Sequence, residues 1–123
     1  MNNSTISRIG TIIYALVIGF FGVNHFLNGT GLQKQMPRFI PYSIFWVYLT
    51  GVLLIAAAIA ILINKYVRVA GILLAIFLIL IVVTVHIPAM TNVTEERVSI
   101  IVTNLVKDTG LAGAALIIAG RNG

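Results

Sequence analysis

Lys107 and Asp108 stand side by side in the apolar run "TNLVKDTGLAGAALII", residues 103–118. On a soluble helix such a pair is ordinary, but in the centre of a membrane helix each charge costs about 2.5–3.5 kcal/mol by insertion scales. Asn104 lies three residues before Lys107 and four before Asp108, so the three side chains share one broad helix face. A charged face inside a membrane must meet protein, a partner or water, and it is by default a functional hypothesis.

The two histidines are the other residues whose side chains indicate chemistry. His25, preceded by Asn24, lies near the end of the first apolar run, and His86, with Thr84 close by, lies near the end of the third. In a bundle of alternating helices the first and third helices run the same way, so both rings are expected at similar depth. We therefore predict a polar pocket in the non-cytoplasmic half, lined by His25, His86, Asn104, Lys107 and Asp108, with Asn24 and Thr84 beside it.

Each of these residues also has a structural interpretation. A histidine near a helix end is often only an interfacial or hydrogen-bonded residue, and the Lys107–Asp108 step could be an ion pair that holds the bundle together. Two histidines without a carboxylate or cysteine at ligand spacing make a poor metal site, so we predict no metal. The chain has no cysteine, which excludes disulfides, thiolate ligands and dithiol redox chemistry.

The composition is that of a membrane protein. Hydrophobic residues make up 59% of the 123 residues and charged residues 9%, against about 45–50% and about 25% in soluble domains. The net charge of +5 comes from scattered Lys and Arg side chains without a long basic run, so nucleic acid is not a predicted partner. Nucleophile elbows, phosphate loops and zinc-protease motifs are missing, so the sequence does not indicate an enzyme.

Four apolar runs are long enough to span a bilayer core about 30 Å thick, which needs about 20 helical residues. They cover approximately residues 8–28, 42–64, 67–90 and 98–120. The first lacks a small-x-small cleavage site and continues through polar residues, so we interpret it as a retained span. Because the connections are short, consecutive helices must be antiparallel neighbours. The predicted fold is all-α, one domain over residues 1–123 forming an antiparallel bundle of four transmembrane helices.

The distribution of Lys and Arg near the helix ends predicts the orientation in the cell membrane. The side with both termini carries Arg8, Lys65, Arg68 and Arg121, and the other side carries Lys34, Arg38 and Arg97. Four cations against three favour cytoplasmic N and C termini.

Small residues at one-turn spacing indicate where helices approach closely in lipid. Gly19 and Gly22 lie in the first span and Gly110 and Gly113 in the fourth. We expect these four glycines to contribute to helix packing, although small residues are also common in membrane helices without such a role.

The first connection contains Pro37 and Pro41 on either side of Arg38. Each proline disfavours helix at the residue before it. We expect this first connection, which we call the lip, to be extended and partly inserted at the membrane interface, with its aromatic side chains at headgroup depth. The alternative is a plain connector with an ordinary aromatic belt.

Four segments taken together resemble the DoxX-like family of small four-helix membrane proteins: "GFFGVNHFLN", "QMPRFIP", "VYLTGVLLIAAAIAILI" and "LVKDTGLAGAALIIAG". The resemblance covers about residues 8–120. Its more specific elements are the Gly22-x-x-His25 motif, the paired prolines, and the Lys107-Asp108 step followed by two glycines. Relatives often carry an acidic residue after the glycine of the second span, where this chain has Leu53 and Leu54.

The resemblance implies association with membrane oxidoreductase complexes or, through an animal branch, a role as an assembly chaperone for channels. Our leading hypothesis is a small integral membrane accessory protein of a membrane redox complex. It would hold a lipid-soluble ligand, a quinone or another lipid, with Lys107 and His25 donating hydrogen bonds to the polar head. The alternative is an assembly partner that contacts its own copies or another membrane subunit without a small ligand. A proton-coupled transporter ranks third, because four spans are few for alternating access.

Overall fold

The computed structural model describes residues 2–34, 36, 38–91 and 93–121. Its α-helices in chain order are α1 (Asn3–Leu27), α2 (Gly29–Gln33), α3 (Ser43–Leu62), α4 (Val67–Ile81), α5 (Ile87–Ala89) and α6 (Glu95–Arg121). A π-helical turn, Val82–His86, joins α4 to α5. Strands are absent from the described part of the chain.

Four helical segments are long and apolar enough to cross a membrane: Asn3–Leu27, Ser43–Leu62, Val67–Ala89 and Glu95–Arg121. The predicted all-α bundle of four spans is confirmed, and the chain is a multi-pass membrane protein. Large apolar side chains such as Phe20, Leu73 and Ile117 are exposed on its outer surface, where the solvent of a membrane protein is lipid.

The first and last helices begin earlier than their apolar runs predict, because polar caps rather than hydrophobic residues set helix starts. The Asn2 side chain accepts a hydrogen bond from the Thr5 backbone N–H at 2.8 Å, which starts α1 at Asn3. At the start of α6, the Thr94 hydroxyl accepts from the Arg97 N–H at 3.3 Å.

The bundle consists of two closely packed helix pairs, α1 with α3 and α4 with α6. In the first pair Gly22 and Gly51 face each other: a Cβ on Gly22 would lie 3.0 Å from the Gly51 carbonyl oxygen, and a Cβ on Gly51 would lie 2.9 Å from the Gly22 carbonyl oxygen. In the second pair a Cβ on Gly71 would lie 2.8 Å from the Ala115 carbonyl oxygen. Both pairs therefore approach to backbone contact, as small residues allow in membrane helices.

The glycines predicted to pack helices take different positions. Gly19 lies beside Ala58, and Gly22 lies in the α1–α3 crossing described above. Gly110 and Gly113, in contrast, are exposed on α6, with nothing within 4 Å of the Cβ that each could carry. They do not pack against another helix of the described chain.

The inner face of α6 is instead lined by alanines. Ala112, Ala115 and Ala119 are all buried. They follow Asp108 at intervals of four, three and four residues, so they lie on the same helix face as that carboxylate. The small residues of α6 that pack inside the bundle are therefore the alanines on the same face as Asp108, and not the two exposed glycines.

The lip between the first two spans starts as a helix rather than as the extended chain that its prolines predict. Helix α2 follows α1 directly, and Gly29 is buried against Tyr48, with 2.6 Å between its would-be Cβ and the ring Cε1 atom. The prolines restrict only the residues just before them, so they leave this earlier stretch free to form a helical turn.

The second part of the lip is a series of turns. Arg38 and Pro41 are exposed there, and Pro37 lies outside the described residues. The Trp46 ring N–H donates a hydrogen bond to the Pro41 carbonyl at 3.0 Å, which fastens the end of the lip to the first turns of α3.

The other end of the bundle holds both termini and a tight turn. Arg8 on α1 donates a hydrogen bond from Nη2 to the Leu62 carbonyl at the end of α3, at 2.9 Å. Ser7 and Arg121, from the two ends of the chain, line one small groove. Arg8 and Arg121 therefore lie at the same end of the bundle.

Candidate ligand-binding cavity

A cavity of about 780 Å³ lies between the two helix pairs, in the half of the bundle that carries the lip. Ligand pockets commonly measure about 300–1,000 Å³ and have apolar walls with a few polar groups. The apolar walls here include Ile18, Phe21, Leu54, Phe77, Leu78 and Leu111. The polar lining residues are Asn24, His25, Thr50, Thr84, His86, Asn104, Lys107 and Asp108. Size and lining are those of a site for a small, mainly apolar molecule.

All six residues predicted to bind a ligand thus line the same cavity: Asn24, His25, His86, Asn104, Lys107 and Asp108. Asn24 is also hydrogen-bonded to Asn28 one turn later, through their side-chain amides. Thr50 was not predicted; it is buried, and its hydroxyl donates to the Trp46 carbonyl at 2.8 Å.

Asp108 and His86 form a short polar contact between two spans at the cavity wall. The Nε2 atom of His86 lies 2.6 Å from Oδ2 of Asp108, and the two side chains are only 14% and 10% exposed. An ionised carboxylate only accepts hydrogen bonds, so the Nε2 atom carries the hydrogen and donates it. The contact connects the third span to the fourth and fixes the orientation of the His86 ring.

The π-helical turn places His86 at this position. Within Val82–His86 the hydrogen bonding widens, and the Ile87 N–H donates to the Val82 carbonyl five residues earlier. Pro88 has no N–H, so it cannot make the α-helical bond to the Thr84 carbonyl. Single π turns inside α-helices are rare and occur frequently at functional sites. Pro88 is the sequence signal that could have indicated this turn.

Lys107 lies beside the same carboxylate but at greater distance. Its Nζ atom is 3.5 Å from Oδ1 of Asp108 and 4.3 Å from the centroid of the Phe21 ring. Its side chain is 38% exposed. Asp108 therefore interacts with two neighbours: a close hydrogen bond from His86 and a longer ion pair with Lys107. The predicted pair of adjacent charges is in fact a group of three residues.

His25 faces the cavity from α1. Its Nδ1 atom lies 3.1 Å from the carbonyl oxygen of Val47 on α3. Because a carbonyl only accepts, Nδ1 carries the hydrogen, and the neutral ring keeps a lone pair on Nε2. This arrangement is the reverse of the donor role predicted for His25. Gly51 makes it possible, since a Cβ there would lie 3.0 Å from the His25 Cβ.

The lip supplies one wall of the cavity, which the sequence did not indicate. The lining residues from this region are Leu32, Met36, Phe39, Ile40, Pro41 and Trp46. Arg38, predicted as part of the lip, is exposed and does not line the cavity. The apolar residues of the lip thus line the site, and the Arg38 side chain is exposed.

The chain matches one domain family over residues 14–119, a segment that contains every cavity-lining residue. The chain belongs to the DUF8561 family, described as a domain of unknown function. None of the curated proteins or solved structures compared with the chain matches it. The resemblance to the DoxX-like family stays a prediction.

Proposed function

We propose that this DUF8561 protein is an integral membrane protein that holds one lipid-soluble molecule in the cavity between its helix pairs. The polar head of the molecule lies at Lys107, and its apolar body lies along the walls that lead to the lip. The observation that carries the proposal is the environment of Lys107. An ammonium group has three hydrogen-bond donors, yet among the described residues its nearest acceptor is 3.5 Å away.

The site favours a head group with an electron-rich oxygen, such as a hydroxyl or the carbonyl of a quinone. Lys107 donates to that oxygen, and hydrogen bonds from a charged donor are stronger than neutral ones. Asp108 and His86 hold the ammonium end in position from the other side. An accessory role beside a membrane redox complex belongs to the same proposal and is supported by the DoxX-like resemblance.

The cell membrane with both termini in the cytoplasm is the proposed location. The end of the bundle with Arg8, Lys65, Arg68 and Arg121 carries four cations, and the lip end carries three. The cavity then opens in the half of the bilayer away from the cytoplasm.

Native mass spectrometry of the gently solubilised protein tests the proposal, with organic extraction of what it retains. We expect a bound species of defined mass in the wild type and a strong loss of that species in Lys107→Met. Lys65→Met is the matched control, since Lys65 is exposed in the turn at the opposite end. Equal retention by Lys107→Met, or bulk lipid alone in the wild type, would contradict the proposal.

The second candidate function is that of an assembly partner for another membrane protein or a second copy of the chain. The exposed face of α6 that carries Gly110 and Gly113 favours this function. Gly110 and Gly113 leave the backbone of α6 accessible on the outer surface, where another membrane helix could approach. In this case Gly113→Leu would release a copurifying subunit or a second copy, whereas Lys107→Met would not. The opposite pattern favours the ligand-holding function.

A further inference from the structure

We infer that the occupant of the cavity is an uncharged amphiphile with a hydroxyl group, and that this hydroxyl donates a hydrogen bond to Nε2 of His25. The inference rests on the proposed function, because it names the class of molecule that the same cavity holds. Three features of the site support it: the tautomer of His25, the donor character of Lys107 and the balance of charges.

The tautomer of His25 makes its ring an acceptor toward the ligand. Its Nδ1 atom donates to the Val47 carbonyl at 3.1 Å, and Val47 is buried in the α1–α3 contact. A neutral imidazole carries one hydrogen only, so Nε2 must accept. A ketone or an ether has no hydrogen to offer this atom, whereas a hydroxyl does.

Lys107 has the complementary requirement. Its ammonium group donates and never accepts, so it needs an oxygen lone pair from the ligand. A head group that contacts both His25 and Lys107 must therefore donate at one side and accept at the other. A hydroxyl oxygen satisfies both requirements within one group.

The charges of the site favour an uncharged head. Lys107 and Asp108 carry opposite charges 3.5 Å apart, so this pair has no net charge. A carboxylate or phosphate head would add an uncompensated negative charge between membrane helices, which is costly. A phenol, an alcohol or a quinol adds none.

Trp46 provides a direct measure of occupancy, because it is the one tryptophan of the chain and it lines the cavity. The purified protein in lipid nanodiscs is titrated with three probes of equal tail length: 4-nonylphenol, 4-nonylanisole and 4-nonylbenzoate. The phenol offers a hydroxyl, the anisole blocks it with a methyl group, and the benzoate replaces it with a negative charge. We expect the phenol to bind about tenfold more tightly than either of the others, since one satisfied hydrogen bond in a buried site is worth about that ratio.

His25→Asn tests the residue itself. The asparagine amide N–H takes the place of Nδ1–H and keeps the bond to the Val47 carbonyl, while the acceptor at Nε2 is removed. We expect the variant to bind the phenol and the anisole with about equal affinity, because the affinity for the phenol falls while that for the anisole is unchanged. Lys65→Met, distant from the cavity, keeps the wild-type ratio.

The outcomes separate the inference from the function on which it rests. Equal binding of phenol and anisole by the wild type, tighter binding of the benzoate, or an unchanged ratio in His25→Asn overturns the inference and leaves a ligand-holding cavity. If none of the probes gives a saturable Trp46 response and native mass spectrometry finds no retained molecule, the proposed function fails as well. The wild-type comparison carries the test even where the His25→Asn variant folds poorly.

Discussion

The Nε2 atom of His86 lies 2.6 Å from Oδ2 of Asp108, and this contact ties the third span to the fourth at the polar side of the cavity. Lys107 approaches the other carboxylate oxygen at 3.5 Å. Asp108 therefore holds the side chains of both His86 and Lys107 in position.

Replacement of Asp108 by alanine is expected to destabilise the bundle strongly. The carboxylate is buried, and its removal leaves Lys107 in the membrane without its counter-charge. The buried Nε2–H of His86 also loses its acceptor, and leaving a buried donor unsatisfied costs about 1–3 kcal/mol. Thermal unfolding in detergent measures the effect as a clear fall in Tm.

Asp108→Asn and Thr109→Ala are the matched variants for this measurement. Asparagine retains an oxygen that accepts from His86 but carries no charge, so its Tm should fall between those of wild type and Asp108→Ala. Thr109 is exposed on the same helix, and its replacement should have little effect. A wild-type Tm for Asp108→Ala would show that the carboxylate contributes nothing to the folded state.

Gly22→Ala is expected to disturb the α1–α3 crossing. The added Cβ would lie 2.7 Å from Cγ1 of Ile55 and 3.0 Å from the Gly51 carbonyl oxygen, so the helices must move apart. Overpacking of this kind costs about 1–3 kcal/mol. Since His25 lies one turn further along α1, we also expect weaker retention of the bound molecule.

Gly10→Ala on the same helix is the control for Gly22→Ala. A Cβ at Gly10 meets nothing within 4 Å, and alanine in a helix interior is favoured over glycine by about 0.5–1 kcal/mol. The two glycine-to-alanine changes should therefore shift Tm in opposite directions. A shift in the same direction for both would show that the close Gly22 contact does not constrain the crossing.

The sequence predicts the four spans well, because the thickness of the bilayer and the need to satisfy every backbone group leave few alternatives. It also predicts that Lys107 and Asp108 share a protected face, since their cost in lipid is large. The partner of Asp108 was not predictable by the same reasoning. The contact with His86 depends on the π turn, and hydrophobic patterns carry no information on such a turn.

The packing of Gly113 and of the lip also could not be predicted from sequence patterns alone. Spacing alone indicates that Gly113 and its neighbour Gly110 share a helix face, but not that this face points outward. Likewise, the prolines restrict individual residues, whereas the contribution of Phe39 and Ile40 to the cavity wall depends on how the lip packs onto the helices. Both features are properties of tertiary packing.

Pro88→Ala is expected to restore a regular α-helix at the end of the third span. Alanine provides the N–H that Pro88 lacks, so the bond to the Thr84 carbonyl becomes possible. The side chain of His86 then turns away from Asp108. The NMR signal of the His86 Nε2–H proton, shifted by its short hydrogen bond to the carboxylate, should be lost in this variant.

Helical content distinguishes this outcome from unfolding. Circular dichroism of Pro88→Ala should equal or slightly exceed that of wild type while retention of the bound molecule declines. An unchanged His86 signal would show that the π turn is held by packing and not by the missing N–H of Pro88.

The orientation prediction is tested best by cysteine labelling, since the chain has no cysteine of its own. Ile63→Cys and Thr91→Cys place one thiol at each end of the bundle, at exposed positions, without changing any charge. In intact cells a membrane-impermeant maleimide should label Cys at position 91, and the thiol at position 63 should react only after permeabilisation. The reverse pattern would place the termini outside.

The cause of the orientation can be tested in the same background. Lys65→Gln, added to Ile63→Cys, lowers the cation count of the terminal end from four to three, which equals the three at the lip end. If Lys and Arg near the span ends set the orientation, part of the population should then insert the other way and label in intact cells. Lys34→Gln removes a cation from the lip end and should leave the thiol at position 63 fully protected. Full protection in the Lys65→Gln variant would show that the small excess of cations does not determine the topology.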